Sequence, residues 1–311
     1  MADMAKIKIG TRGSQLALWQ ANWVKDTLCA NVDNLEVELV TIKTKGDKIL
    51  DVPLAKVGGK GLFVKEIEDA ILSGRVDLAV HSMKDMPAKI PTGLCIGAVP
   101  ERENPADVLI SQNHKKLKDF PNGARIGTSS LRRAAQLLYV RKDLTILPLR
   151  GNLDTRMQKL KTENLDAIVL AAAGVNRLGL SAQISEQLDH EVMLPAVGQG
   201  ALCIEMREND AKMSELIQTL DDLQTRQVVL GERAFLNRLE GGCQIPVAGH
   251  GRIENNEFVF EGLVAETDGS VMIRESHCGP LKDSEKIGIE LAEHLLERGA
   301  DEILANLIET A

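Results

Sequence analysis

The 311-residue sequence predicts an α/β protein with two similar domains joined by a hinge, followed by a small α+β C-terminal domain. Short apolar strands alternate with amphipathic helical patterns over most of the chain, which is typical of α/β domains. Two segments that carry proline or glycine, 100–105 and 192–200, interrupt this alternation and indicate crossovers between the two domains. After residue 240, strands are followed by helices, as in a small α+β domain.

The two crossovers define the expected domain boundaries. We expect domain 1 to comprise residues 1–100 and 200–218, domain 2 residues 101–199, and domain 3 residues 219–311. Because the chain passes twice between the first two domains, we expect a hinge between them. Bilobal ligand-binding proteins have this organisation.

Composition argues against several classes of protein. A net charge of -8 makes a nucleic-acid partner unexpected. No apolar run approaches the ~20 residues that cross a membrane, and the N-terminus lacks the features of a signal peptide. We therefore expect a cytoplasmic protein with reduced thiols and no membrane partner. The five cysteines are widely spaced and the histidines have no metal-ligand spacing, so neither disulfides nor a metal site is expected.

One junction occurs twice in the chain. Ile9-Gly10-Thr11 ends a strand before Ser14 and a helical pattern, and Ile126-Gly127-Thr128 does the same before Ser129 and Ser130. Such a turn gathers backbone N–H groups and the positive end of a helix, which suits an anion. An ordinary capped helix explains either copy alone. Two copies, each beside arginine, favour two similar anion-binding domains.

Arginines recur at successive strand–helix junctions of the second domain. Arg132 and Arg133 follow the repeated junction, Arg150 and Arg156 flank the next one, and Arg177 follows the third. A solvated basic face is the usual explanation for arginine. Repetition at the carboxyl ends of strands instead predicts a pocket for a small molecule with many acid groups, because guanidinium matches carboxylate and phosphate bidentately.

A candidate catalytic pair follows the buried strand 77–80. Lys84 and Asp85 lie side by side within His81–Pro87, where α/β proteins gather functional groups. The carboxylate of Asp85 can stabilise a cation or relay a proton, although a solvated turn explains the residues equally well.

Two glycine-bearing stretches complete the set of candidates. Residues 56–61 predict a mobile loop with Lys60 and Phe63 at its exit. Residues 239–249 present Cys243 on a turn shaped by two glycines and a proline. Taken alone, this second stretch is explained at least as well by a buried loop cysteine.

Together these stretches resemble the porphobilinogen deaminase family along almost the whole chain. Six motifs in this order carry the resemblance, and no motif position departs from the family pattern: residues 10–17, 58–63, 81–87, 127–133, 150–152 and 240–243. The resemblance implies three domains, the first two similar to periplasmic-type binding proteins. It also implies a monomeric enzyme that joins four porphobilinogen molecules head to tail into hydroxymethylbilane and releases ammonia.

The same resemblance implies a dipyrromethane cofactor, attached through a thioether to Cys243, and Asp85 as the principal catalytic group. The implied cofactor-binding residues are Cys243, Lys84, Asp85, Thr128, Ser129, Ser130, Arg132, Arg133, Arg150, Gly151 and Asn152. The implied substrate-binding residues are Arg12, Ser14, Gln20, Lys60, Phe63, Arg150, Arg156, Arg177 and Gln199. Phe63 either stacks on a pyrrole ring or packs in the core. We expect an Arg133→Leu variant to lose activity without unfolding.

A second interpretation is a cytosolic bilobal protein that only binds a small polycarboxylate. It explains the duplicated junctions and the arginines. It does not explain Asp85 beside Lys84, nor a third domain that presents Cys243. The enzyme is therefore the favoured interpretation.

Overall fold

The computed structural model describes residues 5–48, 61–239 and 245–310. These residues form two compact units: a first unit of residues 5–48, 61–103 and 201–226, and a second unit of residues 104–200, 227–239 and 245–310. Each of the three predicted domains contains one sheet of the structure. The division into three domains itself stays a prediction.

The first unit is built on a five-stranded sheet with the strand order β2-β1-β3-β10-β4. Three neighbouring strands run parallel, and β10 lies antiparallel between β3 and β4. The strands are β1 (Ala5–Thr11), β2 (Leu35–Thr41), β3 (Leu78–Ser82), β4 (Leu94–Ala98) and β10 (Leu202–Arg207). The helices of this part of the chain are Gln15–Asn31, Lys45–Lys48, Lys65–Leu72 and Ala211–Ile217.

Helices cover both faces of this sheet, so its central strands are apolar on both faces. Leu78 and Val80 of β3 pack in the cluster that contains residues of the helix Gln15–Asn31. Ala79 packs in a second cluster with residues of the helix Lys65–Leu72. Each fully buried leucine or valine side chain of this kind stabilises the fold by about 1.5–3 kcal/mol.

The second unit contains a sheet with the corresponding strand order, β7-β6-β8-β5-β9. Again three strands run parallel and the fourth, β5, is antiparallel to its neighbours. In both sheets the antiparallel fourth strand is the one that the chain enters after a crossover, which confirms the predicted pair of similar α/β domains. The strands are β5 (Asp107–Ser111), β6 (Arg125–Gly127), β7 (Thr145–Leu147), β8 (Ala167–Ala171) and β9 (Glu186–Gln187), with helices Leu131–Val140, Leu153–Thr162 and Ala172–Arg177.

The third sheet is an antiparallel meander with the order β11-β12-β13. Phe235, Phe258 and Phe260 are fully buried between it and the helices around it. Helical spacing of apolar residues in the sequence predicts a helix over 222–239, and the structure confirms it as Leu223–Arg238. The order of strands followed by helices confirms the α+β prediction. The remaining elements are β11 (Val247–Glu254), β12 (Glu257–Ala265), β13 (Met272–Pro280), and the helices Ser284–Leu295 and Asp301–Thr310.

The sequence pattern predicts two C-terminal helices, at about 283–298 and 300–309. The first ends earlier, at Leu295, because the chain passes through a wider helical turn at Leu296–Ala300. Gly299 has a φ of 98° there, which glycine adopts without strain. No helix in the described parts of the chain is both long and apolar enough to span a membrane.

Candidate functional site

A small cavity in the first unit lies at the carboxyl ends of β1 and β3. Its volume is about 60 Å³. We call it the Asp85 cavity; it is lined by Arg12, Ser14, Leu16, Ala17, Gln20, Phe63, Val64, Val80, His81, Ser82 and Asp85. Five predicted site residues therefore meet at one place: Arg12, Ser14, Gln20, Phe63 and Asp85.

Asp85 is held by a single 3₁₀ turn, Met83–Asp85, that directly follows β3. The N–H of Met86 donates to the carbonyl of Met83 at 3.1 Å and closes the turn. Met83 is buried, and its N–H donates to the carbonyl of Ala201 at 3.0 Å. The turn is thus fixed to the sheet, and it leaves both Lys84 and Asp85 half-buried.

Arg12 lies in the wall of this cavity between a carboxylate and an aromatic ring. Its Nε donates to Oδ1 of Asp47 at 3.1 Å, and a second guanidinium nitrogen donates to the same oxygen. The guanidinium carbon is 4.4 Å from the ring centroid of Phe63, within the range of a cation–π contact. Burial raises the pKa of Asp47, but hydrogen bonds from Arg12 and Thr44 outweigh burial and hold this pKa below its usual value. Phe63 therefore packs against Arg12.

Ser14 and Gln20 make hydrogen bonds that hold the remaining polar part of the wall of the Asp85 cavity in place. Ser14 is the N-cap of the helix Gln15–Asn31, and its Oγ accepts a hydrogen bond from the N–H of Ala17 at 3.3 Å. Gln20 is buried, and its Nε2 donates to Oγ of Ser82 at 2.9 Å. The start of this helix is thus tied to the end of β3, beside Asp85.

A larger cavity, of about 410 Å³, lies elsewhere in the first unit. It is lined by Thr41, Ile42, Lys43, Glu66, Asp69, Ala70, Ser73 and Arg75, none of which is a predicted site residue. The cavity with the larger volume is therefore not the one that contains the predicted site residues. We place it at the smaller cavity, because an active site needs convergent chemical groups more than it needs volume.

In the second unit, three predicted site residues converge on the carboxylate of Asp107. Arg133 donates to Oδ1 through Nε and a terminal nitrogen, at 2.9 and 2.7 Å. Arg132 donates to Oδ2 at 2.6 Å, and Gln199 donates to Oδ1 at 3.1 Å. Asp107 is 0% exposed and each arginine 5%. We call these four residues the Asp107 cluster.

The two arginines of the Asp107 cluster are part of the core. Arg132 also donates to the carbonyl of Leu194 at 2.7 Å, and Arg133 to that of Val169 at 2.8 Å. Burial, with Arg132 beside it, lowers the pKa of Arg133 against the opposing attraction of Asp107. Their direct contact with a ligand stays a prediction; what the structure describes is a buried ion pair.

The predicted hydroxyl residues shape the start of the helix Leu131–Val140. Oγ1 of Thr128 accepts from the N–H of Ser130 at 3.1 Å, and Oγ of Ser130 caps the helix by accepting from the N–H of Arg133. Oγ of Ser129 accepts from the N–H of Leu149 at 2.9 Å. This positive helix end lies beside the next predicted junction.

At that junction, Gly151 has a φ of 110°, and a Cβ added there would lie 2.6 Å from the side chain of Thr155. Asn152 caps the helix Leu153–Thr162 through the N–H of Thr155. The sequence pattern predicts that Arg156 begins this helix, but the helix begins at Leu153 and Arg156 lies in its first turn. The Nε of Arg156 donates to the carbonyl of Gly151 at 2.9 Å.

The remaining predicted cations of the second unit are half-buried. They are Arg150, Arg156 and Arg177. A terminal nitrogen of Arg177 donates to the carbonyl of Gly200 at 2.8 Å. Lys60 and Cys243 lie outside the described residues.

Sequence reasoning missed the acids that hold these residues. Asp47 pairs with Arg12, Asp107 with the two arginines, and Glu205 with His81. Asp107 and Glu205 each stand within an apolar strand, and a carboxylate in such a strand signals a buried partner. That signal identifies the acid but leaves its partner unknown.

Comparison with known proteins finds two family models. The model described as "Porphobilinogen deaminase, dipyromethane cofactor binding domain" matches residues 7–215. The model described as "Porphobilinogen deaminase, C-terminal domain" matches residues 226–297.

Curated relatives match over nearly the full length. The porphobilinogen deaminase of Geobacter metallireducens is 54% identical over 304 residues, which cover 98% of this chain and 95% of the relative. That of Syntrophotalea carbinolica is 55% identical over 301 residues, covering 97% and 96%.

Two solved structures of binding proteins are also similar. A probable amino-acid ABC transporter extracellular-binding protein from Bacillus subtilis has a TM-score of 0.43 and 14% identity, covering 70% of this chain and 90% of that one. The periplasmic aliphatic sulphonate binding protein from Escherichia coli has a TM-score of 0.39 and 15% identity, covering 76% and 71%.

Proposed function

The chain belongs to the porphobilinogen deaminase family, and from this membership we propose which of its residues carry out the family's reaction. The reaction joins four porphobilinogen molecules head to tail into hydroxymethylbilane for tetrapyrrole biosynthesis and releases ammonia. The cofactor is dipyrromethane. Membership in an enzyme family decides against the interpretation as a protein that only binds a polycarboxylate.

Asp85 is the catalytic residue of this proposal. Loss of ammonia from the aminomethyl group of porphobilinogen leaves a cationic methylene-pyrrolenine. A carboxylate near the pyrrole N–H stabilises this cation and accepts a proton when the next bond forms. The single observation that carries the assignment is the Asp85 cavity, which brings four other predicted residues together with this carboxylate.

Arg12, Ser14 and Gln20 bind the acidic side chains of the substrate. Asp47 and the ring of Phe63 hold Arg12 from two sides, so its guanidinium is already oriented when substrate arrives. Preorganisation of this kind lowers the entropy cost of binding. Lys60, which follows the glycines of the predicted mobile loop, is the further substrate-binding residue proposed for domain 1.

The donors of the second unit fit a dipyrromethane. Each of its pyrroles bears an acetate and a propionate, and carboxylates are bound by arginine and by helix N-termini. When bound through Cys243, the dipyrromethane supplies the terminal pyrrole to which substrate units are added. The proposed holding residues of the chain are Lys84, Asp85, Thr128, Ser129, Ser130, Arg132, Arg133, Arg150, Gly151 and Asn152, with Arg156, Arg177 and Gln199 for substrate.

Arg132 and Arg133 support dipyrromethane binding although their side chains are buried in the core. Both lie in the first turn of the helix Leu131–Val140, and their pairing with Asp107 anchors that turn to β5. The anchored turn places Ser130 and the positive helix end. Their contribution to affinity is therefore made largely through the backbone that they hold.

An Asp85→Asn variant tests the proposal. We expect it to acquire dipyrromethane, seen as a mass increase of the Cys243 peptide, and to lose turnover at least ~100-fold, since general acid–base catalysis contributes 10²–10⁴-fold. Asp33→Asn, at an exposed position of the same unit, is the matched control and keeps its turnover. Near-normal turnover of loaded Asp85→Asn would move the chemistry to another residue.

We also propose that the protein is a cytoplasmic monomer without nucleic-acid or membrane partners. The exposed thiols of Cys29 and Cys278 stay reduced in the cytoplasm, and the net charge of -8 disfavours nucleic acid. Light scattering on the purified protein should give the chain mass of 33.9 kDa. Twice that mass would contradict the monomer.

A further inference from the structure

A buried cluster of three ionisable side chains adjoins the Asp85 cavity. His81 lines the cavity, and its Nε2 lies 3.1 Å from Oε2 of Glu205. Glu68 interacts electrostatically with both. His81 is 5% exposed, Glu205 0% and Glu68 7%. We call these three residues the His81 cluster; the function proposed above uses none of them.

The pairing of β3 with β10 brings the cluster together. In this antiparallel pair Ala79 lies opposite Glu205, and His81 lies opposite Cys203. Because alternate residues of a strand share a face, His81 and Glu205 project from the same face of the sheet. Ala79 packs against the helix Lys65–Leu72, so that helix, which carries Glu68, covers this face.

Both carboxylates of the His81 cluster have an oxygen without a partner. Neither Oε1 of Glu68 nor Oε1 of Glu205 accepts a hydrogen bond from any residue in the described parts of the chain. Two buried carboxylates near one imidazole cannot both stay ionised without a large cost, so the cluster tends to hold an extra proton.

The electrostatics agree with this geometry. Burial, followed by the charge of Glu205, raises the pKa of Glu68 to about 7. Asp69 acts in the same direction, whereas His81 and Lys65 oppose it. Glu68 therefore gains and loses its proton within the pH range in which enzymes work. Asp85 and Arg12 line the same cavity as His81.

We propose that His81, Glu205 and Glu68 form a proton relay that takes from Asp85 the proton released by each coupling step. The proposal rests on the proposed role of Asp85. His81 is the link, because it both lines the cavity and bonds Glu205. Transfer to the cluster returns Asp85 to its ionised form, and Glu68, which at 7% is the most exposed of the three, releases the proton to solvent before the next substrate reacts.

Each coupling step leaves one proton for such an acceptor. Coupling breaks one C–N bond and one C–H bond and forms one C–C bond. The nitrogen of an ammonium substrate leaves as ammonia with the C–N electron pair. The C–H electron pair returns to the pyrrole ring, and one proton remains. No oxidant or reductant is needed.

The pH dependence of kcat in Glu68→Gln tests the relay. In the wild type, kcat should rise with pH and level off above about 7, the pKa of Glu68. In the variant this rise should disappear, with kcat above pH 7 at least ~10-fold lower, a fraction of what general bases contribute. A His81→Asn variant should behave in the same way, because it cuts the link between cavity and acids.

Glu66→Gln is the matched control, since Glu66 lies on the same helix and lines the other cavity. Its pH profile should equal that of the wild type. A cluster with only a structural role would lower kcat equally at all pH values and leave the shape of the profile unchanged. That result in Glu68→Gln, or an unchanged kcat, would overturn the relay.

A second measurement does not depend on turnover. The carboxyl carbon of Glu68 in the NMR spectrum of the holoenzyme should titrate near pH 7; a midpoint at the ordinary value of about 4.5 would contradict the relay. Comparison with Asp85→Asn separates the two proposals. If Asp85→Asn is inactive and Glu68→Gln keeps its profile, only the relay fails. If Asp85→Asn is active, the proposed catalytic role of Asp85 is wrong, and the relay that rests on it is wrong as well.

Discussion

The repeated Ile-Gly-Thr junction leads to different surroundings in the two α/β sheets. After Thr11, Arg12 stays half-buried beside Asp47 and faces a cavity. After Thr128, Arg133 is buried against Asp107 in the core. One junction therefore borders the Asp85 cavity, and the other anchors a helix end. The Ile-Gly-Thr motif is the same at both junctions. Burial of the acid that pairs with the arginine therefore decides whether the arginine borders a cavity or anchors a helix end.

The largest expected effect of this difference is on stability. Arg133→Leu leaves Asp107 buried with fewer partners, and breaking a buried ion pair costs about 3–5 kcal/mol. Urea unfolding should show this loss, whereas Arg12→Leu should cost about 1 kcal/mol or less, as for a partly exposed pair. The structure thus changes the sequence-based expectation that Arg133→Leu leaves the fold intact. Equal losses in the two variants would remove the distinction between the junctions.

The buried acids of the two units should also differ in their response to pH. Asp107 has two arginines, whereas Glu68 has a folded-state pKa of about 7 against an ordinary value of 4.5. Below pH 4.5 the Glu68 carboxyl is protonated in both the folded and the unfolded chain, so it does not lower the free energy of unfolding. As pH rises through 7, ionisation favours the unfolded chain by up to about 3 kcal/mol.

Relative to Glu68→Gln, the wild type should therefore lose stability between pH 4.5 and 7 and then level off. Unfolding free energies at pH 5 and pH 8 measure this difference, with Glu66→Gln as control. A constant difference between wild type and Glu68→Gln would mean that the carboxyl titrates normally.

The smallest expected effect concerns the helix caps that the two junctions share. Ser14→Ala and Ser130→Ala each remove one capping oxygen. Each should cost about 1 kcal/mol, measured by thermal unfolding. Similar losses would support equivalent local roles for the two serines. A much larger loss for Ser130→Ala would indicate that its cap supports more than the first helical turn.

Local features of the sequence predicted much of this structure. Strand and helix periodicity indicated the two α/β sheets, and the placement of Asp85 after a buried strand pointed to the cavity. The repeated junctions correctly indicated helix N-termini. Each of these inferences depends on residues close together in the chain.

The missed contacts are distant in the chain. His81 meets Glu205 across 124 positions, and Gln199 meets Asp107 across 92. Such pairs depend on strand order and register, and no periodicity along the chain encodes the register of β3 against β10. The positions of Arg132 and Arg133 were therefore identified from sequence, but their burial was not.

The central claim, that Asp85 carries out the chemistry, is tested most directly by ammonia release in a single turnover. Wild type and Asp85→Asn, each with dipyrromethane confirmed by mass on the Cys243 peptide, are mixed with porphobilinogen and quenched at successive times. Ammonia release should slow at least ~100-fold in Asp85→Asn, while the free energy of unfolding stays unchanged. Release at the wild-type rate by loaded Asp85→Asn would contradict it.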